Sequence, residues 1–96
     1  MTKFEWDYKK DIISFKDAVL VFSDKNAITR KDNKHSINEY RFITIGRIKS
    51  FYIIVVIYTD RMKNNANEET IRIISSRYAN KKEIKQYIDF NSRRGK

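Results

Sequence analysis

TIRIISSRYANKKEIKQY, residues 70–87, changes rhythm halfway along. From residue 70 to 77 it alternates in the two-residue period of a strand. From residue 80 it reads as a helix: Asn80 is a good N-cap with Glu83 three positions later, and Ile84, Tyr87 and Ile88 form the stripe to be buried. Arg77 stands at the handover. Strict alternation puts Ile71, Ile73, Ser75 and Arg77 on one side of the strand and Arg72, Ile74, Ser76 and Tyr78 on the other.

Working outward, FYIIVVIYT (residues 51–59) is a nearly unbroken apolar run, the pattern of a central strand covered on both faces. EYRFITIG (39–46) reads as a strand stopped by glycine. KNNANEE (63–69) is a polar turn region, so residues 39–77 form an antiparallel meander. Nearer the N-terminus, SFKDAVLVF (14–22) opens with Ser14 and Asp17 in a capping-box-like spacing, and Phe15, Ala18, Val19 and Phe22 fall on one helical stripe. KFEWD (3–7) alternates as a short strand. Residues 24–38 are loop with a short strand at 27–30. The fold class that follows is α+β: a small twisted antiparallel sheet with helices packed on one face and the other face free. Residues 1–90 make a single domain, and residues 91–96, NSRRGK, a basic flexible tail.

Composition agrees with one modest core: 96 residues, 41% of them hydrophobic, without proline and with only Gly46 and Gly95 as glycines. The absence of cysteine excludes disulfides and thiolate metal sites. The N-terminus has no apolar signal region, and no apolar run approaches the ~18 residues a membrane span needs. The expected location is cytoplasmic, with no membrane partner. A net charge of +9 draws in polyanions. Nucleic acid is the first such partner, since each neutralised phosphate releases a counterion; a general solubility charge or an acidic protein partner are the alternatives.

Candidate site residues follow from that charge. Arg77, at a strand end, can offer its planar fork to a phosphate or form a salt bridge with Glu83 or Glu39. Arg41 shares a side with Ile43 and Ile45, and a cation there either pairs with an acid from a helix or lines a pocket edge. Lys9, Lys10, Arg72, Lys81 and Lys82 are candidate RNA contacts, set against a reading as solvated charge. Tyr40, Tyr52, Tyr58, Tyr78 and Tyr87 can stack on bases or fill the core. His35 lies in KDNKHS (31–36) and reads as a loop residue. No zinc-ligand set, Gly-rich phosphate loop or nucleophile elbow is present. No metal or cofactor is therefore expected. RNA carries its own nucleophile, the 2′-hydroxyl, so cations and an acid–base pair suffice to cut it.

FEWD (4–7), SFKDAVLVF (14–22), EYRFITIG (39–46), VVIYTDR (55–61) and the pattern RIIS-x-R-x-A-x-x-x-E-x-x-x-Y (72–87) occur in the order seen in BrnT-type toxins, which the chain resembles over nearly its whole length. The resemblance implies a RelE-like fold and a metal-independent ribonuclease of a type II toxin–antitoxin system that cuts RNA and inhibits translation. It implies a cognate BrnA-like antitoxin with a ribbon-helix-helix DNA-binding region, in a hetero-oligomer with the toxin. Arg41 and Arg77 become the candidate catalytic residues; Glu83 matches as a cap partner and Tyr87 as core. In one respect the chain departs from the family, whose first strand leads into a longer basic helix ending in a K-H-G-like segment. Only YKKDII (8–13) stands there. Two further readings follow: a weakened or inactive toxin fold acting as an antitoxin-binding module, and a plain nucleic-acid-binding domain.

Overall fold

The computed structural model describes residues 2–6, 13–32, 40–62 and 69–94. Five strands, β1 (Thr2–Trp6), β2 (Ile28–Lys31), β3 (Arg41–Ile48), β4 (Tyr52–Met62) and β5 (Glu69–Tyr78), form one sheet in the order β1-β5-β4-β3-β2. β3, β4 and β5 make the expected antiparallel meander. β2 joins β3 antiparallel, but β1 lies parallel to β5. The sheet is thus mixed, which corrects the antiparallel expectation. A parallel pair needs a long crossover, and here the whole chain between β1 and β5 supplies it.

The helices also depart from expectation: they cover both faces, not one. α1 (Phe15–Val19) continues into a 3-10 turn, Leu20–Ser23. Ala18 and Val21 pack with Ile54, Val56, Tyr58, Ile71 and Ile73 on one face. α2 (Lys81–Arg94) sends Tyr87 onto the opposite face, against Ile45 and Val55, with Ile28, Ile43 and Ile53 around it. Residues 54 and 55 are strand neighbours, so their side chains must point to opposite faces. The physical reason was already present in the unbroken apolar run of β4, which needs cover on both sides. Ile54 and Ile73 are fully buried, each contributing about 2 kcal/mol of transfer free energy.

Local signals at the helix ends mostly behave as their chemistry dictates. Ser14 caps α1 by accepting the Asp17 N–H at 3.1 Å. In α2, Tyr87 is buried, whereas Ile88 turns out to solvent, 47% exposed. α2 also runs into the segment read as a tail. Asn91 Nδ2 ties it down, donating to the Asn26 carbonyl at 3.1 Å and the Tyr87 carbonyl at 2.8 Å. Among the described residues, no helix is long and apolar enough to cross a membrane.

Gly46 does not stop β3, which continues to Ile48. Its role is close approach: a Cβ there would lie 2.6 Å from Val21 Cγ2 and 3.2 Å from both Ala27 Cβ and Asp24 Oδ2. Gly46→Ala is therefore expected to destabilise the fold by about 2 kcal/mol through overpacking, read as a lowered urea midpoint with an unchanged slope.

Candidate nucleic-acid interface

The face that carries α2 is only partly covered by it. A β-bulge in β5 decides what lies on the remainder. Ile57 pairs with Ser75, but Tyr58 pairs with Ile73, so Ile74 is an extra residue opposite no partner. Because of it Arg72 shares a face with Arg77, although five residues separate them. Strict alternation had placed them on opposite sides, and the bulge corrects that. On this face Arg41, Thr59 and Arg72 form one transverse row across β3, β4 and β5. Two arginines thus flank a buried threonine whose Oγ1 makes no hydrogen bond among the described residues. Arg41 lies beside Ile43 and Ile45, as its spacing indicates. Arg30, not singled out from the sequence, stands opposite Ile43 on the same face.

Arg77 pairs with Val55, four residues along β4 from Thr59, which is about 13 Å along the strand. Its guanidinium engages Glu83 with both arms, Nη1 to Oε1 at 2.7 Å and Nη2 to Oε2 at 2.8 Å. Glu83 completes a capping box: its Oε1 accepts the Asn80 N–H at 2.9 Å, and Asn80 Oδ1 accepts the Glu83 N–H at 2.9 Å. The fork–fork hydrogen bonds from Arg77 hold the Glu83 carboxyl below its usual value, overcoming the opposing effect of burial, with Arg30 adding to the field. The same bonds raise Arg77. Arg77 therefore does form the ion pair that was one of its two readings. Its side chain remains 48% exposed, however, while that of Glu83 is 15% exposed. A half-open guanidinium held at a fixed angle keeps donors to spare for an anion.

α2 is fastened to the sheet by a second carboxylate. Asp24, just past the 3-10 turn, accepts the Tyr87 hydroxyl at 2.7 Å, the Arg47 N–H at 2.7 Å and the Asn26 N–H at 2.9 Å. Burial alone would push Asp24 up; the three donors outweigh it and leave the carboxyl below its ordinary value. Burial and the Asp24 carboxylate together push the Tyr87 hydroxyl up to about 12. Tyr87 is thus a structural donor and not a ready acid. Between α2 and strands β2 and β3 lies a groove of about 360 Å³, floored by Ile28, Ile43 and Ile45 and bordered by Arg30, Gln86, Asp89, Phe90 and Arg93.

The other candidates are scattered. Lys81 and Lys82 are exposed at the start of α2. Lys9, Lys10 and His35 lie outside the described residues. Tyr58 is core: its hydroxyl shares a hydrogen bond with Thr44 Oγ1 at 2.9 Å. On the opposite face of the sheet, burial and the neighbouring Glu69 raise the Asp60 carboxyl to about 6.

Among curated proteins none matches the chain. The family model described as "Ribonuclease toxin, BrnT, of type II toxin-antitoxin system" matches residues 2–83. That span runs from β1 through the arginine row to the Arg77–Glu83 junction, and the chain belongs to the BrnT family of ribonuclease toxins of type II toxin–antitoxin systems.

Proposed function

We propose that this chain is a ribonuclease that cuts RNA internally without a metal ion and so inhibits translation in the cytoplasm. The observation that carries the reading is the gathering of Arg41, Arg72, Arg77 and Arg30 on one partly open sheet face of a chain belonging to a ribonuclease family. The RNA 2′-hydroxyl gives up its proton to solvent as its oxygen attacks the adjacent phosphorus, the bond from phosphorus to the 5′-oxygen breaks, that oxygen takes up a proton from solvent, and a 2′,3′-cyclic phosphate and a 5′-hydroxyl result. Charge builds on the phosphate oxygens in that step, and fixed guanidinium forks are the donors best suited to hold it. Arg41 and Arg77 are the proposed catalytic residues, with Arg72 beside Arg41 in the row. The two ends of the cluster lie about 13 Å apart along β4, a gap that two long arginine side chains can close from opposite ends on one phosphate. Lys81 and Lys82, with Lys9 and Lys10, extend the electrostatic field that holds the RNA. The RelE-like character of the fold belongs to the same reading, supported by a sheet clasped between two helices.

Membership in a type II toxin family implies an antitoxin partner. We assign that partner a ribbon-helix-helix DNA-binding region and a hetero-oligomer with the toxin, a reading supported by the family resemblance and by a charge of +9 that complements an acidic protein. The test is incubation of the purified chain with RNA in excess EDTA. The expected result is internal cleavage, unaffected by the chelator, with cyclic phosphate at the new 3′ ends and suppression by the antitoxin. Cleavage that stops with EDTA would refute metal independence. Antitoxin binding with no cleavage under any condition would establish the inactive-module reading instead.

A further inference from the structure

The groove beneath α2 opens beside the arginine row, and nothing in the family description accounts for it. Its floor is apolar, from Ile43 and Ile45, while Phe90 stands at its edge. Phe90 is 42% exposed, so part of its ring is open to solvent at the groove. Gln86, one helical turn before Phe90, and Asp89, three residues after Gln86, bring an amide and a carboxylate to the rim. Asp89 shares one oxygen, Oδ2, with Lys85 at 2.7 Å in a well-exposed pair. Arg30 borders the mouth, two residues removed in register from the Arg41 rung.

We propose that this groove receives one unpaired base of the RNA strand being cut and thereby sets the base preference next to the cleaved bond. The inference rests on the ribonuclease reading above. A flat apolar slot with an aromatic edge suits the face of a base. An amide and a carboxylate at its rim offer both donors and acceptors to the base edge, and guanidinium groups outside it meet the flanking phosphates. The volume, about 360 Å³, falls at the lower end of small-ligand sites. Charge complementarity and continuity with the arginine row favour the RNA strand over a protein segment.

The experiment sequences the RNA ends released by purified full-length protein, comparing wild type with Gln86→Ala, Asp89→Asn and Phe90→Ala, with Phe90→Trp as the conservative replacement. All three positions are at least partly exposed, so folding is expected to persist and is checked by urea denaturation. The wild type is expected to favour one base beside the cut. Gln86→Ala or Asp89→Asn should flatten that preference about tenfold, the contribution of one base contact. Phe90→Ala should raise KM about tenfold, and Phe90→Trp should restore it. A wild type without base preference, or variants that keep it unchanged, would overturn the proposal while leaving the ribonuclease reading intact. Variants that lose only antitoxin binding would assign the groove to the antitoxin. A wild type that cuts no RNA defeats both readings together.

Discussion

Asp24→Ala is expected to remove about 3 kcal/mol of folding stability. The carboxylate accepts three hydrogen bonds, from Tyr87, Arg47 and Asn26, and so ties α2, β3 and the end of the 3-10 turn together. Truncation leaves the Tyr87 hydroxyl, on a residue 4% exposed, without its acceptor. A single hydrogen bond to a charged group contributes about 1.5–3 kcal/mol, and water entering the opened site offsets part of the sum. Asp24→Asn, which keeps one acceptor oxygen, should lose less. The pH dependence has a definite sign. The folded-state carboxyl lies below its unfolded value of about 3.9, so its stabilisation is fully present above pH 4 and disappears as pH falls through the folded value. Wild type and Asp24→Ala should therefore converge in strong acid. Glu83, also lowered, acts in the same direction. Asp60 acts in the opposite one: raised to about 6, it costs stability as pH climbs from about 4 to 6. Urea midpoints at pH 3, 5 and 7 separate these contributions.

How much of this was legible beforehand depends on whether the signal is local. The capping box at Asn80 and Glu83 is a four-residue pattern, and it forms as read. Ser14 capping α1 is the same kind of signal. The meander from β3 to β5 follows from three apolar runs that succeed one another in sequence. The parallel β1–β5 pair has no such local signature, because its two strands lie at opposite ends of the chain. The two-faced helix arrangement was legible but missed: β4 is apolar on consecutive residues, and that cannot coexist with a bare sheet face. Gly46 shows the limit of residue-type rules. Glycine in a strand reads as an end, yet here it makes room for Val21 from the 3-10 turn, a contact no local pattern encodes.

The site divides along the same line. Arg41 and Arg77 stood out by position, and both lie on the face that remains partly open. Arg72 was placed on the wrong side because the bulge at Ile74 shifts the alternation by one, and nothing in RIISSR marks where an extra residue will sit. Arg30 was invisible because β2 is short and polar, with only its pairing to β3 bringing it beside Ile43. The Asp24–Tyr87 contact, between residues 63 apart in sequence, is likewise a product of packing.

Arg41→Ala and Arg77→Ala are each expected to lower RNA cleavage about 100-fold, the loss typical of one donor to developing transition-state charge. Their structural costs should differ. Arg41 sits within β3 on the same side as Ile43, so Arg41→Lys serves as the companion that retains stem and charge but loses the fork. Arg77→Ala removes a bidentate partner from Glu83, but the arginine is half exposed and Glu83 keeps its Asn80 hydrogen bond, so the stability loss is about 1 kcal/mol. Glu83→Gln separates the two roles of Arg77. It weakens the ion pair without removing the guanidinium, and should reduce stability by a similar amount while leaving cleavage close to wild type. If Arg77→Ala and Glu83→Gln lose activity equally, and only as far as each loses folded protein, then Arg77 is a structural ion-pair residue and the chemistry belongs to the Arg41–Arg72 row. If Arg77→Ala alone is silenced at matched folding, the guanidinium at the handover from β5 to α2 acts on the RNA itself, and its bond to Glu83 contributes to stability rather than to the chemistry.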